Sequence, residues 1–206
     1  MDPTDRLSSQ IEFLVETEKL KGVLRRTSPI NAERRENTAE HSWTLALMAV
    51  VLAEHANQPL DLLRVLRMLL VHDLVEIDAG DTFCYDTAAT VTKAEREARA
   101  AERIFGLLPE PQANEFRQLW KEFDARASAE ATFANALDRL MPLLQNAHNG
   151  GGSWLEFGVT SEQAFDRNQH IGDGSTALWN YAQMLLTKAQ QLNFFANGNA
   201  SAPANP

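Results

Sequence analysis

The pair His72-Asp73 lies in the run Val71-His72-Asp73-Leu74-Val75-Glu76, within a segment that is otherwise apolar from Met68 to Val75. An imidazole and a carboxylate are costly to bury unless something pairs with them. Two more side chains of ligand type are framed the same way. His41 lies in Glu40-His41-Ser42-Trp43, at the head of an apolar stretch, and Asp138 lies in Ala136-Leu137-Asp138-Arg139-Leu140, in the middle of another. Each has an ordinary explanation when taken alone. A single His on an apolar helix is commonly a satisfied core residue, Asp73 can sit at a helix end, and Asp138 has Arg139 as an adjacent partner. Taken in order, the set His, His-Asp, Asp is what one divalent metal inside a helical bundle requires. Imidazole and carboxylate suit Mn²⁺, Co²⁺, Fe²⁺, Zn²⁺ or Ni²⁺. Four protein ligands on a six-coordinate ion leave open positions, which a catalytic site needs.

Glu76 stands four residues after His72, so a continuous helix puts both on one face. Asp81 follows the turn expected at Gly80, with Asp78 as a competitor for the same role. Adjacent His72 and Asp73 point about 100° apart on a helix, so a shared ion has to sit in the crevice above their turn.

Nearly every segment that must position these residues has helical period and helical punctuation. A first helix is expected from about Ser8 to Leu24, with Ile11, Leu14, Leu20 and Leu24 on one side. A polar, Arg-rich connection follows from Arg25 to Glu36. Asn37 or Thr38 can cap a second helix that runs to about Ala56. Asp61 caps a third, which carries His72, Asp73 and Glu76. Thr92-Lys93-Ala94-Glu95 and Thr160 to Gln163 fit capping boxes. Asp138 falls on a helix opened by Ser128, in which Pro142 should give a kink or a boundary. Asn149 to Ser153 reads as a flexible loop, Gly172 and Gly174 break the chain, and a last helix spans Thr176 to Phe194. No segment alternates with period two, so the fold is expected to be all-α: one domain over residues 1–196 and a disordered tail over 197–206.

The bulk properties narrow the function. The 206 residues suffice for one domain with a sizeable core. A net charge of −9 argues against a nucleic-acid polymer as the main partner, because such binding needs a basic footprint. It leaves room for a small phosphorylated substrate, for which a few local cations suffice. Arg25, Arg26, Arg34 and Arg35 cluster before His41, and a guanidinium can hold two phosphate oxygens at once. For Arg34 and Arg35 a solvated loop is the preferred reading. Trp43, Phe83 and Tyr85 could stack a base, although packing suits Trp43 better. Cys84 is the sole cysteine, so no internal disulfide forms. The acidic N-terminus is not followed by a long apolar run, and the stretch Trp43 to Ala53 is too short to span a bilayer. A cytoplasmic protein is expected, with no membrane partner.

The order Glu40-His41, His72-Asp73, Asp138 resembles the HD-domain metal-dependent phosphohydrolases. The flanking text, Glu36-Asn37-Thr38-Ala39-Glu40-His41-Ser42, His72-Asp73-x-x-Glu76, Gly80-Asp81-Thr82 and Leu137-Asp138-Arg139-Leu140, is similar to the 5′-deoxynucleotidase branch, over roughly Leu14 to Leu186. The resemblance implies an HD-domain helical bundle and metal ligands at His41, His72, Asp73 and Asp138. It implies catalytic carboxylates at Glu76 and Asp81, and a substrate-binding Arg26 with Arg25 beside it. It further implies a nucleotide substrate and a homodimer. Thr27 stands where that branch has an aromatic residue after the arginine. Members holding two metals need additional His ligands between the His-Asp pair and the last Asp. There is none between Asp73 and Asp138, since His55, His148 and His170 fall outside, so one divalent ion is expected: Co²⁺, Mn²⁺, Mg²⁺, Zn²⁺, Fe²⁺ or Ni²⁺. The favoured activity is release of orthophosphate from (deoxy)nucleoside 5′-monophosphates. The alternatives are hydrolysis of a nucleoside polyphosphate, of the dNTP or guanosine tetraphosphate type, and a non-catalytic helical module stapled by a metal.

Overall fold

A computed structural model of the chain describes residues 2–86 and 90–196. The tail expected to be disordered, 197–206, lies outside the described residues. Among those described there is no strand, and an antiparallel bridge between Leu24 and Asn37 is isolated. The chain forms α1 (Pro3–Thr17), a 3₁₀ turn (Glu18–Gly22), α2 (Thr38–Leu52), α3 (Leu62–Val71), α4 (Glu76–Ala79), α5 (Lys93–Phe105) and α6 (Glu110–Ala125). It continues through α7 (Ala129–His148), α8 (Gly152–Glu156), α9 (Ser161–Asn168), α10 (Ile171–Gly174) and α11 (Thr176–Gln191).

Helix α7 is the axle of the bundle. Phe133, Ala134, Ala136, Leu137, Leu140 and Leu143 are buried on it, together with Asn135, Asp138, Gln145 and Asn146. A helix buried on so many sides has to be surrounded, and α2, α3, α6, α10 and α11 pack against it. Helix α3 joins the two halves of the core. Val65 and Leu69 face the α7 side, while Met68 and Val71 face the cluster of Phe13, Leu20, Ile104, Phe105 and Leu119. The C-terminal end of α3, where His72 stands, is therefore the seam of the molecule.

Several expected elements take a different form. The first helix stops at Thr17 and tightens into the 3₁₀ turn. It buries Phe13 and then Leu20, while Ile11, Leu14 and Leu24 are exposed. Period alone cannot say which stripe finds a partner; Phe13 does, edge-on against Phe116 at 5.6 Å. Trp43 is exposed rather than packed. Thr92 starts α5 without a side-chain cap, because its φ of −101° and ψ of 0° are not the extended conformation that turns the hydroxyl onto the helix end. Helix α7 runs through Pro142; the missing proline N–H deprives the Asp138 carbonyl of its usual intrahelical donor. Asn149 to Ser153 is an ordered turn, in which Asn146 Oδ1 accepts from the Ser153 amide at 2.7 Å and from its hydroxyl at 2.9 Å. The caps by Asn37, Asp61, Ser128 and Thr160 form as expected.

Gly174 does more than interrupt the chain. A Cβ there would stand 2.4 Å from the Thr132 carbonyl oxygen, so its bare backbone sets how closely α10 approaches α7. Gly174→Ala is expected to cost about 1–3 kcal/mol, as overpacking does, and to lower Tm by several degrees. A thermal melt checks this; an unchanged Tm would mean that the approach is not tight.

Candidate metal centre

The centre is assembled at a break between two helices. His72 ends α3, its amide still bonded to the Met68 carbonyl at 2.8 Å. The chain then tightens through i→i+3 bonds, Leu74 N–H to Val71 O and Glu76 N–H to Asp73 O, before α4 starts at Glu76. His72 and Asp73 thus leave the regular helix in which they were expected. The tight turns bring His72 Nε2 to 3.0 Å from Asp73 Oδ2, a convergence the 100° spacing of a helix opposes. Gly80, at φ +73°, closes α4 and delivers Asp81 to the same place.

His41 comes from the first turn of α2, fixed there by the reciprocal capping box of Asn37 and Glu40. It is fully buried, with Nε2 at 3.1 Å from Asp138 Oδ1. That oxygen also lies 4.0 Å from His72 Nε2. Ligand atoms of His41, His72 and Asp73 lie within 4.8 Å of one another. Arg139 takes the other Asp138 oxygen, Oδ2, at 2.5 Å. Arg139, the ordinary partner of Asp138, thus takes one oxygen and leaves the other facing the two imidazoles.

One atom argues most strongly for a cation. His72 Nδ1 lies 2.9 Å from the Leu69 carbonyl, which can only accept, so the ring proton sits on Nδ1. Nε2 is then a buried lone pair without a hydrogen-bond donor, facing carboxylate oxygens. In the neutral ring acceptors face acceptors, which a proton on Nε2 relieves at Asp73 alone and a divalent cation relieves for the whole converging set. The charge balance agrees. Glu36, Asp73, Glu76, Asp81 and Asp138 crowd this region against the buried guanidiniums Arg25 and Arg139. The residues present fit a divalent ion with His41, His72, Asp73 and Asp138 as its holders.

Glu36 was not singled out by its sequence, where Arg34, Arg35 and Asn37 make it look solvated. The strand-like pairing of the connection turns it inward: Arg25 N–H donates to Glu36 O and Glu36 N–H to Thr27 O, both at 2.9 Å. Its Oε2 lies 3.3 Å from His41 Nδ1, close but poorly aligned for a hydrogen bond, and Gln145 donates to Oε1 at 2.6 Å. A carboxylate behind a ligand imidazole orients the ring and leaves Nε2 free for metal.

Arg25 and Arg26 part company. Arg25 turns inward, 3.2 Å from Asp73, 3.4 Å from Glu36 and 3.7 Å from Asp81. Arg26 forms no ion pair among the described residues and lies over Phe157, 5.3 Å from the ring centroid. Arg34 pairs with Glu40 and Arg35 with Glu156, away from the metal ligands.

The carboxylates differ in proton affinity. Burial opposes ionisation of Asp138, but the charge of Arg139, joined by His41 and His72 when those rings are protonated in the metal-free protein, holds it well below the usual range. Burial likewise opposes ionisation of Asp73; His72 and Arg25 outweigh it and bring that group to about 2. Glu76 is pushed well above its ordinary value by burial and by Asp73, and receives the Thr38 hydroxyl at 3.0 Å. Asp81 is raised by burial against the opposing charge of Arg25. Two carboxylates that stay ionised, Asp73 and Asp138, thus stand beside two carboxyls able to carry a proton, the separation expected of acid–base pairs. All four border a cleft of about 260 Å³, which Arg25, Arg26, Phe83 and Tyr85 also line.

An all-helical bundle with a His, His-Asp, Asp centre opening on a cleft defines a class of metal-binding helical domains. The HD domain family model matches residues 17–179, and the chain belongs to that family. A predicted metal-dependent phosphohydrolase from Magnetospirillum magnetotacticum MS-1, known from a crystal structure, is 49% identical with a TM-score of 0.92, covering 96% of this chain and 99% of that one. The 5′-deoxynucleotidase HDDC2 of Bos taurus is 35% identical over 116 residues, 56% of this chain and 55% of that protein. The HDDC2 of Danio rerio is 28% identical over 178 residues, 81% of this chain and 84% of that protein. The chain spans about half the length of the mammalian relatives it matches.

Proposed function

We propose that this chain is a metal-dependent phosphomonoesterase that releases orthophosphate from (deoxy)nucleoside 5′-monophosphates. The observation that carries the reading is the buried, donorless His72 Nε2 facing Asp73 and Asp138 in a cleft that also holds Glu76, Asp81 and an Arg26 that closes no ion pair among the described residues. The names of the HDDC2 relatives support the nucleotide class.

A divalent ion held by His41, His72, Asp73 and Asp138 would supply Lewis acidity toward phosphoryl oxygens. The protein supplies the rest. Arg26, which pairs with no carboxylate among the described residues, grips non-bridging phosphate oxygens. Arg25 is occupied with Asp73, Glu36 and Asp81, and acts by fixing those carboxylates. Glu76, oriented by Thr38, takes a proton from the attacking water, and Asp81 gives one to the leaving 5′-oxygen; the two roles can be exchanged. The water oxygen bonds to phosphorus as the bond to the 5′-oxygen breaks, giving nucleoside and orthophosphate. Phe83 and Tyr85, 5.3 Å apart, offer aromatic surface to the base. Product analysis tests the reading: orthophosphate from 5′-monophosphates is expected. Pyrophosphate or triphosphate released only from polyphosphate nucleotides would overturn it.

Two companion readings go with it. No helix among the described residues is long and apolar enough to cross a membrane, and a single free cysteine suits a reducing compartment, so we read the protein as cytoplasmic. We also read it as a homodimer. Helix α5 and the aromatic C-terminal end are taken up internally: α5 buries Ala100, Ala101, Ile104 and Phe105, and Phe195 packs on Trp154. Helix α2 carries an exposed apolar stripe, where Trp43, Leu47, Val50 and Val51 stand at helical spacing, Trp43 at 63% exposure. Trp43→Glu is expected to convert the dimer to monomer in analytical ultracentrifugation. A wild-type protein that sediments as a monomer would refute the dimer.

A further inference from the structure

Most arginines of this acidic chain close ion pairs, among them Arg34 with Glu40, Arg64 with Glu122 and Arg103 with Asp78. Arg126 and Arg167 do not pair with any carboxylate among the described residues, although their exposed side chains line the same cleft as the metal centre. Asp124 lines it too, without closing a pair with Arg126. The position of Arg126 is itself informative. It caps the C-terminus of α6 in the left-handed region, at φ 50° and ψ 40°, where glycine or asparagine is the usual residue. A strained backbone that holds a guanidinium at a cleft mouth points to use of that guanidinium.

His170 joins the group. Burial and the charges of Arg126, Arg139 and Arg167 bring its imidazole down to about 4, with Asp173 opposing, so it is neutral at pH 7 and has one N–H to donate. The charges of Arg139 and Arg167 also act on Tyr85. Arg26 meets the cleft elsewhere, over Phe157, whose ring lies 4.9 Å from Phe83, itself in contact with Tyr85. Arg26 thus meets the cleft at the aromatic wall, while Arg126 and Arg167 line it together with His170. A single phosphate at the metal centre leaves this second group without a ligand.

We propose that Arg126, Arg167 and His170 form a second phosphate subsite, so that the preferred substrate is a nucleotide bearing two phosphates, one at the metal centre and one on these residues. This rests on the phosphomonoesterase reading for the scissile phosphate. The second phosphate can sit on the sugar, as in a nucleoside 3′,5′-bisphosphate, or link the scissile one to the sugar, as in a 5′-diphosphate, whose terminal phosphate then lies at the metal centre and leaves as orthophosphate, with the 5′-monophosphate as the other product.

The test measures kcat and KM for a deoxynucleoside 5′-monophosphate, the 3′,5′-bisphosphate and the 5′-diphosphate of the same base. It uses the metal-loaded wild type and the Arg126→Gln/Arg167→Gln double variant. Calorimetric binding of the same nucleotides to metal-loaded Glu76→Gln protein, with and without the double change, runs beside it. In the wild type, KM is expected to be at least about tenfold lower for one of the two-phosphate nucleotides, the size of a charge-assisted contact; which one identifies the source. The double variant should erase that advantage and leave KM for the monophosphate within about twofold. Equal KM values for one and two phosphates, or a rise shared by all substrates, would overturn the subsite. If no nucleotide releases orthophosphate, the phosphomonoesterase reading fails. Calorimetry then decides the subsite alone: tighter binding of a two-phosphate nucleotide, lost in the double variant, supports it, and equal binding refutes it.

Discussion

Replacing Glu76 with glutamine is expected to lower kcat by about 10²–10⁴-fold, the range for removing a positioned general acid or base, while the bound metal stays in place. Glu76 is buried, accepts the Thr38 hydroxyl and is held well above its ordinary pKa by burial and Asp73. None of these features is needed for a residue that merely fills space. Glutamine keeps the shape and the capacity to accept from Thr38, but cannot take a proton. The check is single-turnover phosphate release together with metal content by mass spectrometry. Activity that survives with metal bound would remove Glu76 from the chemistry and leave Asp81 as the sole candidate. Loss of metal along with activity would instead make Glu76 part of the ion's support.

His72→Ala should have the other large effect. It removes the buried lone pair and one of two imidazoles, leaving Asp73 and Asp138 facing each other with less to hold an ion. Bound metal is expected to fall from about one ion per chain to a small fraction. Activity should fall by at least about 10³-fold, the rate equivalent of the several kcal/mol such an ion supplies. Glu36→Gln is a milder version of the same experiment. It leaves all four ligands but weakens the support behind His41, and should cost about 10–100-fold in metal affinity. If His72→Ala keeps a full complement of metal, the ion is held elsewhere.

The convergence of the candidate ligands was legible because they are polar residues inside apolar runs. His41, His72 and Asp138 are buried, and hydropathy alone marks such residues as out of place. The turn that makes them converge was not legible. Met68 to Ala79 reads as one helix, and only the folded chain shows it breaking at His72 to Val75 so that neighbouring side chains aim at one point. Glu36, and the inward turn of Arg25 onto carboxylates, were hidden for a different reason. Their segment is polar throughout, and its inward turn comes from backbone pairing between Arg25 and Glu36 and between Glu36 and Thr27, which leaves no mark in residue type. The exposed Trp43 and the unused stripe of α1 have a common cause. An apolar period says that a face can be buried, and the surrounding helices decide whether it is. Arg126 and Arg167 lie far apart in sequence, on the end of α6 and on α9, and only the fold sets them in one cleft with His170.

The most direct test of the account is orthophosphate release from a deoxynucleoside 5′-monophosphate by metal-stripped protein, before and after adding back Co²⁺, Mn²⁺, Mg²⁺ or Zn²⁺ singly. The stripped protein should be silent, and at least one ion should restore turnover at a stoichiometry of about one per chain. Turnover that is undiminished after stripping, or none with any ion although one binds, would contradict the assignment of this centre to metal-dependent phosphate ester hydrolysis.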